Sequence, residues 1–134
     1  MTTVLLASGQ DETQAQTQAR TLLDLFDPET LSVHLFHAFE ENPEAASAPQ
    51  VGSLRRAKEI LDDHDIETSF HERGGGDASH AILDAAAELD ADVICVGQPR
   101  RSPTGKVLFG SVSQEVVLKA DRPVLFANDE SAPE

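Results

Sequence analysis

Residues 92–113 read Asp92-Val93-Ile94-Cys95-Val96-Gly97, then Gln98-Pro99-Arg100-Arg101-Ser102-Pro103-Thr104-Gly105-Lys106-Val107-Leu108-Phe109, then Gly110-Ser111-Val112-Ser113. The first six decide the fold class. Four apolar residues in a row, bounded by Asp and Gly, make a strand that is apolar on both faces. Such strands belong to parallel sheets covered by helices on each side. Upstream, Ala78 to Leu89 carries Ala81, Ile82, Ala85, Ala86 and Leu89 at helical spacing, with Asp77 as its N-cap. Downstream, Ser111 to Lys119 reads as a short helix and Pro123 to Ala127 as a last strand.

The same alternation continues toward residue 1. Val4 to Ala7 is an apolar run of strand length, and Asp11 to Phe26 reads as a helix stopped by Asp27-Pro28. Leu31 to Phe39 is a second strand, rich in aromatic and β-branched residues. Glu40 to Gln50, with two prolines and no apolar period, reads as a surface loop, and Ser53 to about Asp63 as a second helix. Ile66 to His71 is a weaker strand of edge character, and residues 98–109 read as an irregular basic segment. The order βαβαβαβαβ requires right-handed crossovers and a parallel sheet with helices on both faces. Ligands on such sheets bind beyond the carboxyl ends of the strands, where the strand order reverses.

Composition narrows the function. The chain has 134 residues with 10 Lys and Arg against 24 Asp and Glu, a net charge of −14. That length predicts one domain, residues 1–127, followed by an acidic tail at 128–134. A charge of this sign repels phosphate backbones, so neither nucleic acid nor an anionic membrane surface is an expected partner. The single Cys, Cys95, excludes an internal disulfide framework and a multi-Cys zinc site. No apolar run approaches the ~20 residues of a membrane span, and the first residues lack the basic start of a secretory signal, which predicts a cytoplasmic location. An ordinary acidic protein would share this charge. The spread of carboxylates through every segment, with only Lys58, Lys106 and Lys119 against seven Arg, favours adaptation to multimolar salt.

One segment runs against the charge. Arg100, Arg101 and Lys106 lie within seven residues, just before Gly110-Ser111 opens a helix. A helix N-terminus offers unpaired N–H groups and a positive dipole end, which suits a phosphate. On spacing alone this reading stands level with a plainer one, in which Gly97 and Gly110 serve turns, Ser111 is a cap and the cations offset nearby carboxylates. A P-loop is excluded, because Arg100 stands where its first Gly belongs and Val107 where its Ser or Thr belongs; the dinucleotide fingerprint fails as well. Gly74-Gly75-Gly76 reads as a flexible connector. The five histidines lack a tight metal spacing, and His34 and His37, three apart on a strand, face opposite ways. No metal site is expected. Cys95, inside an apolar strand, reads as an inert core thiol, and no catalytic triad can be assigned from residue order.

The segment resembles the signature of the universal stress protein family of the UspA type, Gly-x2-Gly-x9-Gly-(Ser/Thr) after the fourth strand. Here Gly97, Arg100 and Gly110-Ser111 hold those positions, and the strand–helix order follows the family over residues 1 to about 127. The resemblance implies a three-layer α/β/α sandwich with a five-stranded parallel sheet in the order 3-2-1-4-5, of the adenine nucleotide alpha hydrolase-like type. It implies ATP or AMP, with Mg, as ligand. Val96, Gly97, Arg100, Gly110, Ser111, Val112 and Ser113 would line the phosphate and ribose side, and Ala7, Gly9 and Ala38 the adenine side. Two positions depart from the family. Arg100 replaces the second motif glycine, and Gly9 stands where nucleotide-binding members carry an Asp. The resemblance further implies a homodimer paired through Pro123 to Ala127. The expected function is a nucleotide-responsive regulatory module in stress response and not a turnover enzyme. Its rival is a nucleotide-free dimeric interaction protein of the same fold; a small-molecule hydrolase has little support.

Overall fold

The structure, a computed structural model, describes residues 2–8, 12–39, 52–74, 77–97, 100–101, 107–108 and 111–127. At 12, 13, 38, 39, 74, 100, 101, 107, 108 and 111 it describes the main chain. The predicted loop at 40–50, Gly9, Gly110, most of the basic segment and the tail at 128–134 lie outside these residues.

Five strands form one parallel sheet. They are β1 (Thr2–Ala7), β2 (Leu31–Phe39), β3 (Glu67–Gly74), β4 (Val93–Gly97) and, last in the chain, β7 (Val124–Ala127). The spatial order is β3-β2-β1-β4-β7, which is 3-2-1-4-5 when only sheet strands are counted. Register runs from Thr2 opposite Leu31 to Ala7 opposite Phe36 on one side of β1, and from Val4 opposite Val93 to Leu6 opposite Cys95 on the other. The order reverses between β1 and β4. A second, two-stranded antiparallel ribbon pairs β5 (Arg100–Arg101) with β6 (Val107–Leu108). The sequence reading expected no regular structure there, because two-residue strands fall below any periodic signal.

Alternation along the strands explains the three layers. Val4, Leu6, Val33, Leu35 and Cys95 point to one face, where they pack with Ala15, Ala19 and Leu22 of α1 (Glu12–Leu25) and Leu54, Ala57 and Leu61 of α2 (Gly52–Asp62). Leu5, Ala7, Phe36, Ile94 and Val96 point to the other face. There they meet Ile82, Ala85 and Ala86 of α3 (Ala78–Glu88) and Val116 of α4 (Ser111–Lys119). A strand covered on both faces has no polar side to spare, which is why β4 is apolar at consecutive positions. Removing one such side chain, as in Leu6→Ala, removes contacts worth about 2–5 kcal/mol.

Local signals end the elements where the sequence places them. Asp27 caps a 3₁₀ turn at Pro28–Thr30 by accepting from the Glu29 N–H at 3.0 Å. Asp77 caps α3 through the Ser79 N–H, also at 3.0 Å. The β3 strand extends to Gly74 and forms one edge of the sheet, as its mixed polarity suggests. At the other end of the sheet, Arg122 holds the turn before β7, its Nη1 donating to the carbonyls of Ala86 and Ala91 at 3.0 and 2.7 Å.

Candidate functional site

The sheet has one crevice that topology alone singles out. Between β1 and β4 the register stops at Leu6 and Cys95, and the next helices after these strands, α1 and α4, pack on opposite faces of the sheet. Ala7 ends β1 and Val96-Gly97 ends β4, so three of the expected site residues border this gap. All three are buried. Ala7 and Val96 belong to the apolar cluster beneath α3 and α4.

The other expected residues divide. Ser111 is the first residue of α4, so the helix N-terminus stands where the motif requires it. Val112 packs partly buried against the cluster that contains Ala7 and Val96, which makes it a core contact at the floor of the site. Ser113 is half-buried in the first turn of α4. Ala38 lies on β2 opposite Arg73 of β3, two strands from β4. Arg100 lies on β5 opposite Leu108. The ribbon therefore starts at the motif position where the family has glycine. Gly9 and Gly110 lie outside the described residues.

Two residues of α1 belong to the crevice and were not nominated from the sequence. The Gln18 side chain is fully buried, and its amide donates to the carbonyls of Ala7 at 3.0 Å and Cys95 at 3.2 Å. It clasps the two strands at the end of their ladder. Its Oε1 has no hydrogen-bond partner among the described residues. One turn earlier on the same helix, Gln14 lies over Gly97. A methyl group on Gly97 would come within 2.1 Å of Gln14 Cδ and Nε2. The glycine is thus explained by close approach, and the group that approaches is a side-chain amide. A signal for Gln18 does exist in the sequence. It interrupts the helical stripe Ala15, Ala19, Leu22 at a position that faces the core, and a buried amide there needs a polar partner.

Beside the crevice, His37 is buried and its Nδ1 lies 2.8 Å from the Ser8 carbonyl at the end of β1. Burial pushes the Cys95 thiol up to about 12, with the Gln18 amide opposing weakly, so the sulfur is neutral and inert at physiological pH as its apolar strand suggests. The crevice thus offers main-chain groups and side-chain amides, and the first turn of α4 packs through Val112 on the cluster that holds Ala7 and Val96. Among the described residues no group of three His, Cys, Asp or Glu has a metal-holding arrangement, and no helix is long and apolar enough to cross a membrane.

A doubly wound parallel sheet whose strand order reverses between β1 and β4 defines the class of α/β domain. The comparisons give the family: the model of the universal stress protein family matches residues 1–128. The chain belongs to that family. It is similar to a universal stress protein of Mycolicibacterium smegmatis, 35% identical over 71 residues, which are 46% of this chain and 55% of that protein. The match thus spans about half the length of that curated relative. Among solved structures it is similar to a universal stress protein from Archaeoglobus fulgidus, at 26% identity and a TM-score of 0.73, covering 96% of this chain and 99% of that one. An A. fulgidus universal stress protein solved in complex with dAMP has the same fold, at 21% identity and a TM-score of 0.71, covering 96% and 98%.

Proposed function

We propose that this chain is a cytoplasmic regulatory module in stress response that binds an adenine nucleotide, ATP or AMP with Mg, and does not turn it over. The observation that carries the reading is the crevice itself. The β1–β4 ladder ends at Leu6 and Cys95, Gly97 closes β4 beneath the Gln14 amide, and α4 opens at Ser111, after the basic segment in the chain. Phosphates suit a helix N-terminus, and Arg100 and Lys106 would add charge-assisted contacts. The dAMP bound by a protein of the same fold supports the class of ligand. Among the described residues the crevice holds amides, apolar side chains and a neutral buried thiol, with His37 beside it tied to the Ser8 carbonyl, so any hydrolysis is expected to be slow. Bound nucleotide would change the segment at 98–109, which a partner could read.

The rival reading, a nucleotide-free interaction protein, draws on Arg100 and Gly9. Calorimetric titration of the full chain with ATP-Mg in molar KCl separates the two. Heat of binding is expected for the wild type, with weaker binding in Ser111→Ala. No heat from the wild type favours the rival. Arg100→Gly then assigns the side chain: binding gained marks Arg100 as a block, binding lost marks it as a phosphate ligand.

The same reading includes a homodimer through β7 and a solvent of high salt. Among the described residues, the β7 strand is a sheet edge with no strand paired on one side. Its Val124, Leu125 and Phe126 are only partly buried, and Val117 and Leu118 of α4 are exposed. An apolar edge of this kind is satisfied by a second copy.

A further inference from the structure

A second cluster lies on the opposite half of the sheet, away from the crevice. In the β2–β3 pair, His34 stands opposite Ser69, and His71 follows two residues on, so all three side chains share one face. Their polar atoms close a triangle. His34 Nδ1 lies 2.7 Å from Ser69 Oγ and 2.9 Å from His71 Nε2, and Ser69 Oγ lies 3.0 Å from His71 Nε2. The two rings meet edge to face at 4.8 Å. A hydroxyl and two neutral imidazole nitrogens can serve three such short edges only by sharing one proton between two acceptors. Three ligand-type atoms this close together also match one face of a metal's coordination shell.

We propose that His34 Nδ1, Ser69 Oγ and His71 Nε2 are three ligand positions on one face of a divalent transition-metal site. A metal bonded at about 2.0–2.1 Å to adjacent octahedral positions sets its ligand atoms about 2.9 Å apart, which matches the triangle. Two imidazoles and a hydroxyl suit copper or nickel more than calcium or magnesium. Glu67 lies two residues before Ser69 on the same side of β3. All three residues are half-buried, which leaves the outer positions to water. Sequence spacing could not show the site, because its ligands come from two strands and meet only through register. The opposed faces of His34 and His37 hold as expected; the partner of His34 is His71.

Copper(II) is the probe. Added to the metal-free full chain at one equivalent, it is expected to give an electron paramagnetic resonance spectrum with coupling to two imidazole nitrogens. His34→Asn and His71→Asn should each weaken binding by more than the 10–100-fold that loss of an outer-shell partner costs, while His64→Asn leaves it unchanged. Copper that does not bind, or binds equally well to the His34→Asn/His71→Asn double variant, overturns the proposal and leaves the triangle as a hydrogen-bonded cluster. Should the variants fail to fold, the wild type decides by proton NMR. Substoichiometric copper must broaden the His34 and His71 ring signals before those of the exposed His64 and His80; the reverse order overturns it.

Discussion

Gln18 shows how a single side chain can close a topological gap. Where parallel strands part at a switch point, carbonyls lose their neighbours on the adjacent strand, and a buried carbonyl needs a donor. The Gln18 amide supplies it to Ala7 and Cys95. Gln18→Leu keeps the volume and removes the donor, and should destabilise the fold by about 1–3 kcal/mol in urea unfolding. A neutral effect would mean that the strands close over the gap unaided. Residue by residue, the motif positions Gly97 and Ser111 were legible because glycine and helix-start chemistry are local. Gln14 and Gln18 were not, because a glutamine in a helical stripe reads as an interruption until its partners on two distant strands are known.

At the scale of elements, the helix ends show the chain's acidity acting on its backbone. Asp65 and Asp90 follow α2 and α3 with φ of 57° and 52°, the left-handed conformation in which helices usually place glycine. The chain then folds back, with Ile66 N–H donating to Leu61 O at 3.2 Å and Ala91 N–H to Ala86 O at 2.9 Å. Asp tolerates this region better than most residues but not at glycine's low cost. Asp90→Gly should therefore raise stability by up to about 1 kcal/mol in chemical denaturation; a loss would show that the carboxylate makes a compensating contact. The periodic elements were legible to within a few residues, since burial imposes periods of 2 and 3.6 on strand and helix. The β5–β6 ribbon was not. Its four paired residues carry no period, and the pairing of Arg100 with Leu108 joins positions eight apart in the chain.

For the whole molecule, the strand order was legible through family resemblance and the parallel sheet through alternation of elements. What no periodicity reveals is how a net charge of −14 is borne. The ion pairs among the described residues are solvent-facing, such as Arg56–Glu59 at 3.0 Å and Lys58–Asp62 at 2.6 Å, and such pairs contribute little each. The excess of carboxylates is then left to the solvent. Raising KCl from low to molar concentration should raise the melting temperature markedly, because screening removes self-repulsion. Sedimentation in molar KCl should show a dimer that Leu125→Lys or Leu118→Asp weakens. A salt-insensitive melt would count against the halophilic reading, and a monomer at micromolar concentration against the dimer.

The central place of β1 also sets an order of events during synthesis. Of the five sheet strands it is made first, yet its second flank is bonded to residues 93–95, and its Thr3 exchanges hydrogen bonds with Asp92 at 2.8 and 2.7 Å. Until β4 has been made, the middle of the sheet is an open edge. The nascent sheet thus carries β1 half-paired while β2 and β3 are added, the state in which parallel sheets fold slowly and are most prone to aggregate.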